Sequence, residues 1–393
     1  MLATNSELME VLNRAIDKPI GRASALQLIK ECATERLVMA AGNIRDKTRP
    51  KFITYSRKVF INLVNACRDT CTYCTYKKEP GDPMLSMMSP ARVLAIAEAG
   101  KKFKCTEALF VTGERPEQKY EQARTWLNSI GHASTIEYIQ EMSELVLEKT
   151  GLLPHTNAGS LTKKEMASLQ DTNVSLGIML ETSSERLMEK GMPHERAPSK
   201  NPKVRIKTLE GAGELKVPMT TGILVGIGET PDELIDSLFV IRQLHEKYGH
   251  IQEVIIQNFA PKQDTGMEKS SPAPLEYFVR AVAMARIIMP DMNIQVPPNL
   301  NPDIYSLYID AGINDWGGIS PVTIDYVNPE FPWPSILSVK QITEGKGYKL
   351  QARLPIYPEF LKGEFITSSR LKHHTGLIAD KSGLIREDYL NDD

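Results

Sequence analysis

The 393-residue chain lacks the features that would send it to a membrane, to nucleic acid or out of the cell. No apolar run approaches the ~20 residues that cross a bilayer, so no membrane partner is expected. Neither charge is in excess: 47 Lys+Arg face 49 Asp+Glu for a formal net charge of -2, and no long basic run gathers anywhere. That balance excludes a dedicated nucleic-acid binder. The stretch Met1 to Ile20 carries Glu7, Glu10 and Asp17 where a secretory signal would have a basic start and then an apolar region, so a cytoplasmic location is expected. Cysteine is scarce and odd in number: there are five, and three of them crowd into eight positions. A secreted disulfide framework is not distributed that way, and reduced thiols doing metal chemistry are the better reading. Internal repeats and low-complexity tracts are absent too.

What is present is the composition of a folded protein, 41% hydrophobic, arranged as short apolar runs alternating with amphipathic stretches. Length alone allows two domains or one α/β barrel with extensions. Eight apolar runs, at 59–64, 107–112, 152–157, 174–181, 219–225, 253–258, 294–297 and 312–316, alternate with helical patterns. Eight βα units are the number that closes a TIM-type (β/α)8 barrel, and that α/β fold is expected. Helices are predicted at Arg92 to Phe103, Ile136 to Lys149, Pro202 to Lys216 and Leu275 to Met289. Thr230, Pro231 and Glu233 read as a capping box opening another helix, whose stripe of Leu234, Leu238, Ile241 and Leu244 packs on the barrel wall. Residues 1–50 read as an N-terminal helical segment, 51–335 as the barrel and 336–393 as a C-terminal extension. That extension is rich in Lys, Tyr and Pro, has no clear period and ends in Asn391-Asp392-Asp393; it is expected to pack on the barrel and to be partly mobile.

The strongest chemical signal is Asn65-Ala66-Cys67-Arg68-Asp69-Thr70-Cys71-Thr72-Tyr73-Cys74, directly after the first strand. Three thiolates spaced Cys-x3-Cys-x2-Cys can hold three corners of a 4Fe-4S cube and leave the fourth iron open to a small molecule. A structural zinc site or an electron-transfer cluster would ordinarily use four protein ligands. Cys32, in a helical pattern, and Cys105, before a strand, are read as small buried hydrophobes, with a long-range fourth ligand as the alternative. The glycine stretch Gly222 to Glu229 is not a nucleotide loop: Gly226-x-Gly228 is followed by Pro231 where the dinucleotide fingerprint needs its third glycine, and no Gly-Lys-Ser/Thr follows.

The cysteine loop resembles the cluster motif of the radical S-adenosylmethionine (SAM) superfamily. The resemblance implies a 4Fe-4S cluster on Cys67, Cys71 and Cys74, SAM chelated at the open iron, and Tyr73 beside the adenine. Thr112-Gly113-Glu114 looks like the superfamily's Gly-Gly-Glu motif, which holds the methionyl amino group. GILVGIGE, Gly222 to Glu229, resembles the adenine-lining Gly-x-Ile-x-Gly-x-x-Glu element, including Gly226 and Glu229, with Leu224 in the Ile place. Glu181 at the end of the fourth run is a candidate ribose ligand. Arg205 is a candidate partner for the SAM carboxylate through its planar fork. The alternative for each is a surface ion pair.

Over about residues 55 to 335 the chain is similar to the 7,8-didemethyl-8-hydroxy-5-deazariboflavin synthase family, in stretches such as Ala108 to Glu117, Leu153 to Gly159, Gly177 to Thr182, Tyr248 to Phe259 and Asn314 to Thr323. That resemblance implies formation of the deazaflavin chromophore Fo of coenzyme F-420 from an adduct of tyrosine-derived 4-hydroxybenzyl with ribityl-diaminouracil. A companion radical SAM enzyme would supply the adduct, and a low-potential donor of ferredoxin or flavodoxin type the electron. A 5'-deoxyadenosyl radical would take a hydrogen from the substrate, and ring closure with loss of ammonia and net oxidation would follow. The companion reaction, a menaquinone-pathway relative and an iron-sulfur electron carrier are the alternatives. Such a radical needs a dry chamber with polar groups at the C-terminal strand ends. His155, Asn157, Gln257, Asn258, Asn299, Asp315 and Trp316 are the candidates, against structural roles such as a satisfied His155 or a turn-shaping Asn299.

Overall fold

The computed structural model describes residues 5–391, so Met1 to Thr4 of the N-terminal stretch and Asp392 and Asp393 of the acidic end lie outside the described residues. Three helices come first, α1 (Asn5–Ala15), α2 (Arg22–Glu31) and α3 (Thr34–Thr48). Strand β1 (Phe52–Val64) then opens the series α4 (Pro90–Lys102), β2 (Glu107–Thr112), α5 (Glu121–Ser129), α6 (Thr135–Thr150), β3 (Leu153–Asn157), α7 (Lys163–Leu169) and β4 (Ser175–Gly177). It continues through α8 (Pro202–Glu214), β5 (Met219–Val225), α9 (Pro231–Tyr248), β6 (Ile251–Asn258), α10 (Leu275–Ile288), β7 (Ile294–Gln295), α11 (Ser306–Asp310) and β8 (Asp315–Ile319). After residue 335 come α12 (Ile336–Gly345), β9 (Lys349–Arg353), α13 (Pro358–Leu361), α14 (Ser369–Ile378) and α15 (Glu387–Asn391).

Strands β1 to β8 pair in sequence order, all parallel, and β1 hydrogen-bonds to both β2 and β8, which closes a TIM-type (β/α)8 barrel. Alternation along β1 explains its two faces. Val59, Ile61 and Leu63 are buried in the apolar core, with Val59 against Gly100 of α4, while Lys58 and Phe60 line the barrel's inner cavity. On the outside, α9 carries the expected capping box, with Thr230 accepting from the backbone of Glu233 and Glu233 reaching back to Thr230. Its stripe of Leu234, Leu238, Ile241 and Leu244 is buried as expected.

Strand β1 starts at Phe52, seven residues before the expected run, and β7 ends at Gln295; two further differences bear on the site. The run at 174–181 is a strand only over Ser175–Gly177, and the chain rejoins β5 at a single bridge between Glu181 and Ile223, with Glu181 in the left-handed region at φ 64°. The run at 312–316 is strand only from Asp315: Gly312, at φ 93°, is in a turn and packs against the α3 carbonyl of Ala41, and β8 starts three residues later.

The ninth strand was not foreseen. Strand β9 runs parallel to β1 from Phe52↔Lys349 to Ser56↔Arg353, and β1 pairs with β2 only from Lys58↔Glu107 onward, so β9 lies directly beneath β2. Its last residue, Arg353, enters the barrel floor and donates to Asp315 (2.6 and 2.9 Å) and to Glu253 (2.9 Å). Pro355 accepts from Ser175 of β4, and the Tyr357 hydroxyl donates to Glu253. Burial pushes the Glu253 carboxyl up to about 7 against the pull of Arg353.

The floor makes a stability prediction. Arg353→Met leaves Asp315 buried without its cation and should cost about 3–5 kcal/mol, whereas Thr230→Ala at the α9 cap should cost about 1 kcal/mol. Urea unfolding of the metal-free proteins checks both, and similar small midpoint shifts would overturn the assigned importance of the floor.

Candidate active site

The C-terminal ends of the strands surround a cavity of about 340 Å³. Thr112, Asn157, Gly177, Leu224, Gln257, Asn258, Gln295 and Gly318 line it, and the three-cysteine loop after β1 covers one side with Cys67, Cys71, Cys74 and Tyr73.

Backbone bonds fix that loop. Arg68 N donates to Glu114 O (2.7 Å) and Glu114 N to Cys67 Sγ (3.2 Å). Thr70 N and Thr72 N donate to Arg196 O and Pro193 O, and the Asp69 carboxylate accepts from the Ser199 hydroxyl. The loop is thus tied on one side to the end of β2 and on the other to the segment before α8. Gly113 is required there, because a Cβ would sit 2.0 Å from Ala66 O.

The three thiols lie along one side of the cavity. Burial pushes Cys67 up to about 11 and Cys71 to about 12, so without metal these thiols stay protonated, and metal loading must displace the protons. No set of three or more His, Cys, Asp or Glu among the described residues is gathered for one ion; in a cube each thiolate takes its own iron. Cys32 and Cys105 are buried in the core, which accords with the reading of both as small hydrophobes.

The Tyr73 hydroxyl lies 3.0 Å from His194 Nε2, and its ring packs with Leu187, Leu224, Ile227 and Phe259, an apolar wall suited to a planar base. Burial, with Lys200 and Arg205 nearby, holds His194 down to about 3, so the ring is neutral. Glu114 accepts from Ser160 N (2.9 Å) and from the Ser160 hydroxyl. Glu181 is buried and accepts from Lys200. Arg205 is buried too and spends Nε and Nη1 on Ser199 O and Met179 O, which leaves Nη2 for a ligand. Neither is the surface pair that was the alternative.

Several expected site residues lie outside the lining. Asp315, at the first rather than the last position of β8, is in the floor and paired with Arg353; the shifted strand boundary is the reason. His155 sits one layer below Asn157, between Ser175 Oγ (2.5 Å) and Asn157 Oδ1 (3.0 Å), and burial lowers its pKa. Asn299 is buried and donates to Asp325 and Phe331 O, so it shapes the loop after β8. Gly222 lies where β5 and β6 approach closely, and Glu229 accepts from Gly226 N (2.7 Å) and Ile227 N (3.0 Å), so Glu229 and Gly226 shape the loop behind the apolar wall. Trp316 lines the cavity with its indole nitrogen bonded to Thr343.

The sequence reading missed Lys58, Lys200, Lys262, Gln295 and Asp325, which also line the cavity. Lys58 was detectable as a charged residue in phase with Phe60 on the inner face of an apolar strand.

A model of the radical SAM superfamily matches residues 61–241. A 7,8-didemethyl-8-hydroxy-5-deazariboflavin synthase of Methanopyrus kandleri is 50% identical to this chain, over 79% of this chain and 93% of the relative. An FO synthase of Streptomyces coelicolor is 43% identical over 98% of this chain, which spans only 46% of that longer protein. The FeFe-hydrogenase maturase HydG from Carboxydothermus hydrogenoformans superposes with a TM-score of 0.73 over 95% of this chain and 90% of its own at 17% identity, a likeness of fold alone. Fold, cysteine loop and superfamily match define an enzyme of the radical SAM class. Within it, the extent of identity to the Methanopyrus protein means that the chain belongs to the 7,8-didemethyl-8-hydroxy-5-deazariboflavin synthase family.

The cavity wall makes a prediction here. A Cβ on Gly177 would lie 1.9 Å from Asn157 Oδ1, so Gly177→Ala should displace Asn157 and lower turnover about a hundredfold with iron loading unchanged. Turnover equal to wild type would remove Asn157 from the site.

Proposed function

We propose that the chain carries out the ring closure of Fo biosynthesis, converting the 4-hydroxybenzyl adduct of ribityl-diaminouracil to Fo with loss of ammonia. The observation that carries this reading is one of extent: the chain spans 93% of the Methanopyrus synthase but 46% of the Streptomyces FO synthase. It corresponds to one part of a longer machine, and the part left over would be the companion that makes the adduct. The setting is the cytoplasm, with a ferredoxin- or flavodoxin-type donor.

A 4Fe-4S cluster with SAM supplies the primary carbon radical. Cys67, Cys71 and Cys74 would hold three of its irons from one side of the cavity. Tyr73, Leu224 and Phe259 form the wall for the adenine. Glu114 takes the methionyl amino group, Nη2 of Arg205 the carboxylate and Glu181 the ribose. Each of these three side chains lines the cavity. Glu229 acts from behind, by fixing the loop that carries Ile227. Asn157, Gln257 and Asn258 face the substrate from the ends of β3 and β6.

Reconstituted protein given SAM, a reductant and the adduct under anaerobic conditions should release both 5'-deoxyadenosine and Fo, as mass spectrometry would show. Deoxyadenosine without Fo would overturn the substrate, and neither product with an intact cluster would overturn the reaction. Cys71→Ala should lose iron and SAM cleavage while its circular dichroism stays that of the folded barrel; retained iron and activity would refute the ligand assignment. Glu114→Ala should keep the iron and bind SAM more weakly, and calorimetry showing equal affinity would count against its role.

A further inference from the structure

Lys58 is the charged side chain of the cavity for which the described structure provides no counterpart. It projects from the middle of β1 with 8% of its surface accessible, and it makes neither a hydrogen bond nor an ion pair. Its contacts are aromatic: Nζ lies 4.9 Å from the ring centre of Trp333 and 5.8 Å from that of Phe60. The acids around it are engaged elsewhere. Glu107 accepts from Ser56, Glu253 and Asp315 hold Arg353, and Asp325 accepts from Asn299, Asn328 and the backbone of Val327. Burial pulls the ammonium's pKa down, and Glu107, Asp325 and Glu253 pull it back up.

The fold makes room for this side chain. A Cβ on Gly318 of β8 would lie 2.2 Å from Lys58 Cδ and 2.6 Å from Nζ, so the strand facing Lys58 has a gap that its stem fills. The neighbouring Gly317 makes the same room for Gln295, whose carboxamide also lines the cavity without a hydrogen-bond partner. A buried ammonium without a counterpart is costly, and an oxygen brought by a ligand would remove that cost. Trp333 and Phe60 line the cavity beside the ammonium and offer it aromatic surface.

We propose that Lys58 is a substrate-binding residue, whose ammonium donates to an oxygen on one of the substrate's two rings. Gln295 offers its carboxamide beside it. The assignment rests on the function proposed above, and two oxygens of that substrate have the right chemistry, the phenol oxygen and a uracil carbonyl.

The test uses cluster-loaded enzyme as wild type, Lys58→Met, Lys58→Arg and Gly318→Ala. Iron content and SAM affinity should match wild type in all three variants. In Lys58→Met the KM for the adduct should rise about tenfold or more, the factor that a hydrogen bond to a charged group supplies. Lys58→Arg should recover part of the loss. Gly318→Ala keeps the charge but fills the gap, so it should also raise KM, which provides a second reading if Lys58→Met fails to fold. An adduct lacking the phenol hydroxyl separates the two oxygens: if Lys58 holds the phenol oxygen, the Met variant loses nothing further on this analogue, and if it holds a uracil carbonyl, the two losses add. Wild type that makes no Fo overturns the proposed function and this assignment with it. Wild type that makes Fo, with unchanged KM in both Lys58→Met and Gly318→Ala, overturns the role of Lys58 alone.

Discussion

The barrel depends on a single buried cation at its floor. Asp315 and Glu253 point into a closed ring of strands where water cannot reach them, and ionised carboxylates survive there only when paired. Arg353 reaches both from β9, which exists as a strand because the lower half of β1 offers it an edge beneath β2. The segment that follows Arg353 then bonds to Ser175 and Gln252 and closes the floor. On the other side of that floor lies the cavity lined by the C-terminal strand ends and the cysteine loop.

The mouth of the barrel is held by a different kind of interaction. Three backbone N–H groups, of Arg68, Thr70 and Thr72, are given to the carbonyls of Glu114, Arg196 and Pro193. Side chains add to them, with Arg68 donating to Gln118, Tyr120 to Cys67 O and Ser199 to Asp69, while Gly113 allows the close approach. Thiols positioned in this way are set before metal arrives, so the ordering cost of three ligands is met by the fold.

Much of this was legible in the sequence, and the failures share a cause. Alternation of apolar runs with amphipathic helices predicted eight strands, and the spacing of Cys67, Cys71 and Cys74 predicted the loop, because both are local patterns. Strand β9 was invisible because its residues, Lys349 to Arg353, pair with an edge some 300 positions away in the chain, and nothing local marks such a partner. Asp315 was misplaced because Gly312 looked like strand and is a turn packed on Ala41, a tertiary contact. Three residues of error moved a carboxylate from the mouth of the barrel to its floor.

Partner counting separates scaffold from site better than strand position does. His155 and Asp315 are polar and buried, but each has found its hydrogen bonds within the protein, and Asn299 spends its amide nitrogen on Asp325 and Phe331 O, so their chemistry goes into holding neighbouring strands and loops. Lys58, Gln257 and Gln295 line the same barrel and have found none. Folding tolerates few unsatisfied polar groups because each costs about 1–3 kcal/mol. A cavity that gathers several, with a glycine clearing the space for Lys58, has moved that cost onto its ligand. Among the side chains that line the cavity, Lys58, Gln257 and Gln295 are left for a ligand to partner, and they face it from β1, β6 and β7.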